Sequence, residues 1–312
     1  MSRPALAVVI CSWSEERWPH LLAAAASVQS QHPPPDRIVV VVDDAPALHE
    51  RVRERLPGVT AVLKRGRQGL SGARNAGVAA TSEEVVAFLD DDAVAMPGWL
   101  ARLASHYDDP DVLGVGGAVE PLFAADRPAW FPGEFDWVVG CSYHGLPNRL
   151  TPVRNFIGAN MSFRRQVFDA AGGFSDGVGR VGTRPTGCEE TELCIRTLER
   201  LPHGRLLYDP SAVVLHRVPA LRARWPYFWR RCWAEGLSKA VVARRHGRPR
   251  ALSSERAYTF RVLPGAFGRA LAVAASRRDR AALGRAGAIA GGLAATTAGY
   301  LAGSGRGGRW SA

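Results

Sequence analysis

From residue 5 to about residue 120, short apolar runs alternate with longer stretches of mixed polarity. The runs are Ala5–Cys11, Arg37–Val42, Val59–Leu63, Val85–Leu89 and Val112–Val119. Runs of about four to eight apolar residues suit strands buried on both faces, and the segments between them read as amphipathic helices. Trp99, Leu100, Leu103 and Tyr107, for example, share one helical face just after Pro97, a residue suited to the start of a helix. The alternation predicts an α/β fold with a mostly parallel central sheet flanked by helices. Ala5–Cys11 reads as its first core strand and not as a secretory signal, because Glu15, Glu16 and Arg17 follow directly.

The pattern then breaks. Residues 121–157 collect Pro121, Pro128, Pro132, Pro147 and Pro152 among Trp130, Phe131, Phe135 and Trp137. This reads as a long loop, either a lid or a packed insertion. Periodicity returns with a strand at Asn160–Phe163, a helix at Glu189–Arg200 and a last strand at Ala212–His216, and beyond Pro219 the chain turns helical and basic. Two domains are expected: residues 1–216 and a helical extension, 217–312.

Charge sharpens that division. The net +11 of the 312 residues is the balance of 21 Lys/Arg against 26 Asp/Glu in 1–216, and 19 against 3 in 217–312. A basic tail suits an anionic membrane surface, nucleic acid or an anionic substrate; nucleic acid is disfavoured, although Trp225, Phe228, Trp229 and Trp233 lie among Arg224, Arg230 and Arg231. Val262–Ser276 and Ala286–Ser304 are nearly uncharged, but the second is mostly Ala and Gly, too weakly apolar for a membrane span. They read as an interfacial helical hairpin or as a helical appendage on the core. The five cysteines form no CxxC pair, which argues against a zinc site and a disulfide framework and fits a reducing cytoplasm.

Candidate chemistry gathers at strand ends. Asp43-Asp44 follow the second run and Asp90-Asp91-Asp92 the fourth, on the carboxyl edge where such sheets bind ligands. Clustered carboxylates raise one another's pKa, and a divalent cation is the usual way to keep them ionised together. Mg²⁺ or Mn²⁺ takes one or two carboxylates and completes its shell with phosphate oxygens, so the cluster points to a phosphate-bearing substrate.

Seven segments together, in order, resemble the family 2 glycosyltransferases, inverting enzymes of GT-A fold that use nucleotide-diphosphate sugars. They are Val8–Trp13, Ile38–Asp44, Gly69–Gly77, Phe88–Asp92 with Pro97–Leu100, Gly158–Arg165, Gly172–Phe174 and Glu189–Leu193. The resemblance implies donor contacts at Ser12, Glu15, Asp44, Arg74, Asp90 and Asp91, with Asp92 as the direct metal ligand and His216 as a second one. It also implies a catalytic base at Glu190, six residues before Arg196, with Glu189 as the alternative. Trp13-Ser14 stands where the family usually has Tyr-Asn, which leaves the base of the nucleotide open. The expected reaction moves a sugar, from a UDP-hexose by preference, to an acceptor hydroxyl in a cell-envelope glycan or a secondary metabolite. The protein would be cytoplasmic, peripheral at the inner face of the membrane if the basic tail docks there. The rivals are a binding module without catalysis and a nucleotidyltransferase, although Ser12–Arg17 lacks the Gly-rich basic loop the latter would carry.

Overall fold

The first apolar run becomes strand β1, Leu6–Ser12, in which Leu6 to Ile10 are at most 1% exposed. Burial on both faces is why the run shows no polar alternation. Strands β2 (Arg37–Asp43), β3 (Thr60–Lys64) and β4 (Val85–Asp90) follow, linked by helices α1 (Trp18–Gln29), α2 (Pro46–Arg55) and α3 (Leu70–Ala79). All four strands are parallel neighbours, in the order β3-β2-β1-β4. Helix α1 carries Pro19 in its first turn and buries Leu21, Ala24, Ala25 and Val28, a stripe at helical spacing. Each such core Val or Leu stabilises the fold by about 1.5–3 kcal/mol.

This computed structural model describes residues 3–175 and 187–305. Two compact units divide them: 3–120, 147–175 and 189–217 form the first, and 121–146, 187–188 and 218–305 the second.

Beyond β4 antiparallel pairs enter the sheet. The further elements of the first unit are β5 (Ala93–Ala95), α4 (Trp99–Ser105), β6 (Val112–Phe123), β7 (Thr151–Pro152), β8 (Asn160–Arg164), α5 (Arg165–Ala171), α6 (Glu189–Arg200) and β9 (Arg205–Val218). The sheet continues β4-β8-β6-β9-β5, with β7 on β9. Strand β8 runs against β4 and β6, and β5 and β7 run against β9. The sheet is therefore mixed: parallel pairing joins β3-β2-β1-β4 and returns between β6 and β9, where Arg205 N donates to Asp111 O and Ala124 N to Val218 O at one constant offset. Apolar runs buried on both faces look alike in either direction, so periodicity could not reveal this. The short strand read at Ala212–His216 is the inner part of β9.

Asn160 ties these late strands together. Its amide donates to Ala118 O and Ala212 O, each at 2.8 Å, and accepts from the Trp99 indole at 2.8 Å. One fully buried side chain thereby joins α4, β6, β8 and β9.

The second unit gathers the proline-rich segment with the helical tail. A 3₁₀ segment, Gly133–Val139, precedes α7 (Trp225–His246), α8 (Arg248–Ala251), α9 (Ser253–Ala257), α10 (Leu263–Arg277) and α11 (Arg280–Gly305). Trp130 stacks on Trp225 at 3.7 Å between centroids, and Phe131 and Phe135 flank Phe228. Helix α11 lies backbone-to-backbone on α7: a Cβ on Gly236 would strike Thr296 O, and one on Gly299 would strike Trp233 O. The Ala/Gly stretch is thus a helix-packing face. No described helix is long and apolar enough to cross a membrane. Within α7, burial works against the Glu235 charge, but Lys239 and Arg231 outweigh it and hold the carboxyl down at about 2.

Two outcomes test this account. Asn160→Ala strands three buried partners and should cost about 3 kcal/mol or more in urea unfolding; a loss under about 1 kcal/mol would refute the tie. A carboxyl depressed from the ordinary 4.5 to about 2 adds stability above pH 4.5 that is lost as pH falls to about 2. Unfolding of Glu235→Gln should accordingly depend less on pH across that window than wild type does.

Candidate active site

The carboxyl ends of β1, β2 and β4 open on a cleft in the first unit, lined by Ser12, Arg17, Asp43, Asp90, Asp91, Asp92 and His216 among others. The β4 chain leaves the sheet through Asp91-Asp92 and re-enters at once as β5, whose Ala93 pairs with His216 of β9. That antiparallel register is what delivers a histidine from over a hundred residues downstream to the acidic cluster. His216 Nε2 stands 3.3 Å from Asp92 Oδ1.

Each aspartate of the triplet has a different neighbourhood. Asp91 is buried and accepts from Ser12 Oγ at 2.6 Å, with Arg17 Nη2 at 3.1 Å. Burial and the charge of Asp92 push its carboxyl up to about 7, against the pull of Arg17. Asp92 is bonded through Oδ2 to Arg17. Asp90, a third exposed, opens on the cleft. Ligand atoms from Asp90, Asp92 and His216 all lie within 4.8 Å of one another. Two carboxylate oxygens and an imidazole nitrogen fit Mn²⁺ well and Mg²⁺ acceptably.

A second cluster sits behind the first. The Arg74 guanidinium, only 2% exposed, donates to Glu189 Oε1 at 2.8 Å, Gly158 O at 3.0 Å and Asp90 Oδ1 at 3.4 Å. Burial opposes its charge, but Glu189 and Asp90 outweigh that and raise its pKa. The other Glu189 oxygen, Oε2, is buried without a hydrogen-bond partner among the described residues. Glu190 beside it is half-buried. Arg196 is committed elsewhere: it holds both oxygens of Glu192 and donates to Ala171 O and Gly173 O.

The expected site residues therefore scatter in part. Asp90, Asp92 and His216 converge. Ser12 and Asp91 line the cleft, nearly fully buried and hydrogen-bonded to each other. Arg74 is spent on two carboxylates, so its fork is turned inward. Asp44 and Glu15 are exposed and do not line the cleft. The β2 residue that does is Asp43, which accepts from Gly69 N and Lys64 Nζ at 2.7 Å each. Strand alternation explains the exchange, since consecutive side chains point to opposite faces and Asp44 has already left the strand at φ 55°. Sequence reasoning also missed Arg17; the signal was a single basic residue in the exit loop of β1, opposite three acids. Cys11 lines the cleft too, but burial pushes its thiol up to about 12, so it stays protonated.

Comparison with known proteins bears on the family and the fold. Residues 7–172 match the model of glycosyl transferase family 2. The glucosyl-dolichyl phosphate glucuronosyltransferase of Haloferax volcanii is 34% identical over 241 residues, covering 76% of this chain and 77% of that protein. The pre-mycofactocin glycosyltransferase of Mycobacterium tuberculosis is 29% identical over 150 residues, 48% of this chain and 30% of that one. In fold, the chain is similar to a mannosyltransferase from Pyrobaculum calidifontis solved with GDP-Man and Mn²⁺, with a TM-score of 0.65 at 19% identity over 96% of this chain and 88% of that one. It is also similar to GalNAc-T7 solved with UDP, GalNAc and Mn²⁺, with a TM-score of 0.53 at 19% identity over 69% and 43%. Both are glycosyltransferases of GT-A fold, the architecture seen here.

Removing Arg74 leaves Glu189 and Asp90 facing each other without their cation. Arg74→Met should destabilise the protein by about 3–5 kcal/mol in chemical denaturation, with Arg74→Lys intermediate. Wild-type stability in Arg74→Met would show that the buried pair is not structural.

Proposed function

Since the chain belongs to glycosyl transferase family 2, we propose that it is an inverting enzyme moving a hexose from a UDP-linked donor to the hydroxyl of a lipid-linked sugar, with a divalent metal at Asp90, Asp92 and His216. The observation that carries this reading is the convergence of those three ligands on the cleft where β1, β2 and β4 end. The relative named for glucuronosyl transfer to a glucosyl-dolichyl phosphate supports the lipid-linked acceptor and a nucleotide-sugar donor.

In this mechanism Asp43 faces the nucleoside from the end of β2, where a carboxylate accepts from an imide or a ribose hydroxyl. When bound, Mn²⁺ or Mg²⁺ supplies positive charge to the departing diphosphate. The acceptor oxygen attacks the anomeric carbon, the bond from that carbon to the diphosphate oxygen breaks, and the acceptor proton passes to a carboxylate. Glu190 is that base. Glu189 is the weaker candidate because Arg74 already engages it, which favours a role in holding the first turn of α6.

A lipid-linked acceptor brings the enzyme to a membrane surface. Trp229 and Trp233, 36% and 41% exposed, share one face of α7 with exposed Arg230, which supports docking of the second unit on an anionic cytoplasmic leaflet.

A panel of nucleotide sugars, assayed for Mn²⁺-dependent release of nucleoside diphosphate with a polyprenyl-phosphate sugar as acceptor, tests the whole reading. Turnover with a UDP-hexose is expected, and no release from any donor would refute it. Asp92→Asn should lose metal-dependent UDP binding while remaining folded, and calorimetry showing unchanged affinity would remove Asp92 from the ligand set. Glu190→Gln should lower kcat by about 10² to 10⁴ with donor affinity nearly unchanged. An inactive Glu189→Gln beside a fully active Glu190→Gln would reverse the assignment. In flotation, the protein should rise with anionic vesicles at low salt and release near 1 M salt, where the Debye length is about 3 Å.

A further inference from the structure

Arg17 ends a single 3₁₀ turn, Glu15–Arg17, directly beyond β1, and it lines the same cleft as the acidic triplet. Its Nη2 touches two carboxylates at once, Asp91 at 3.1 Å and Asp92 at direct hydrogen-bond contact. Asp92 is also one of the three residues that converge as cation ligands. One carboxylate therefore faces two positive partners, a guanidinium built into the chain and the divalent ion of the proposed function. At such separation two cations repel strongly, since the flanking groups are almost fully buried and water screens them little. Both cannot hold Asp92 as tightly as either would alone.

We infer that Arg17 is an internal counter-cation that neutralises Asp91 and Asp92 in the free protein and must yield Asp92 before the metal binds fully. This rests on the metal reading of Asp90, Asp92 and His216. A nucleotide diphosphate entering the cleft offers Arg17 a new anionic partner, and a guanidinium fork matches phosphate oxygens. Metal and donor then bind cooperatively: the ion alone competes with Arg17, whereas the ion with the diphosphate releases it. Donor-free enzyme is in this way kept from holding the metal tightly, and the buried carboxylates are never left without a cation.

The test is Mn²⁺ titration of the full chain followed by electron paramagnetic resonance, with and without UDP. Arg17→Gln should bind Mn²⁺ alone at least about tenfold more tightly than wild type, and UDP should enhance that binding by a smaller factor than in wild type. Arg17→Lys, which keeps the charge, should stay within about threefold of wild type. Arg217→Gln removes a charge next in sequence to His216 from an exposed side chain, and should change the affinity by less than about threefold, separating contact from general field. Unchanged or weaker Mn²⁺ affinity in Arg17→Gln, with wild type binding normally, overturns the inference and leaves the metal site intact. If Mn²⁺ binds neither protein, the metal reading itself fails and this inference falls with it. Should Arg17→Gln be too unstable to titrate, thermal unfolding decides: a larger Mn²⁺-induced rise in Tm than in wild type supports the proposal, and an equal rise overturns it.

Discussion

The constraint on which this site depends is electrostatic. Asp43, Asp91, Asp92 and Glu189 are buried, and Asp90 is two-thirds buried, all in one unit near one sheet edge. Moving a carboxylate out of water costs several kcal/mol unless a cation and hydrogen bonds replace the lost hydration. The chain meets that cost locally. Lys64 serves Asp43, Arg17 serves Asp91 and Asp92, and Arg74 serves Glu189 and Asp90. Three cations for five acids leave a negative excess, which is the condition under which a divalent ion gains most by binding.

The topology makes that concentration possible. Parallel β1, β2 and β4 point their carboxyl ends the same way, so Ser12, Asp43 and Asp90 arrive at one edge without any long-range design in the sequence. The later strands add what the first four cannot. Strand β5 turns back immediately after Asp92 and pairs with β9, and Asn160 fixes β9 through Ala212, four residues before His216. A buried amide in the sheet is thereby a determinant of where the imidazole sits.

Much of this was legible in the chain, and the limits have physical causes. The first four strands were readable because burial on both faces leaves unbroken apolar runs, and the acidic triplet because it closes one of those runs at the carboxyl edge of the sheet. Register was not readable. A one-residue step turns a side chain to the other face, which is why Asp44 was expected at the cleft and Asp43 is found there. Nor does residue type reveal commitment: Arg74 and Arg17 look alike in sequence, yet one is locked behind the site and the other stands inside it.

The first turn of α6 shows the same principle at its sharpest. Glu189, Glu190 and Glu192 all gain from the helix dipole, so position at the N-terminus cannot tell base from scaffold. Successive helical residues are rotated by about 100°, and each glutamate consequently meets a different neighbour. Glu192 turns to Arg196 within its own helix, in a bond network that also holds the Ala171 and Gly173 carbonyls. Glu189 turns to Arg74, and through it to Asp90 at the end of β4. Two of the three acids thus fasten the helix, one to the glycine loop and one to the strand that carries Asp90. The half-buried Glu190 stands between two fixed points, so a proton acceptor there would be held in register with the metal by a single guanidinium.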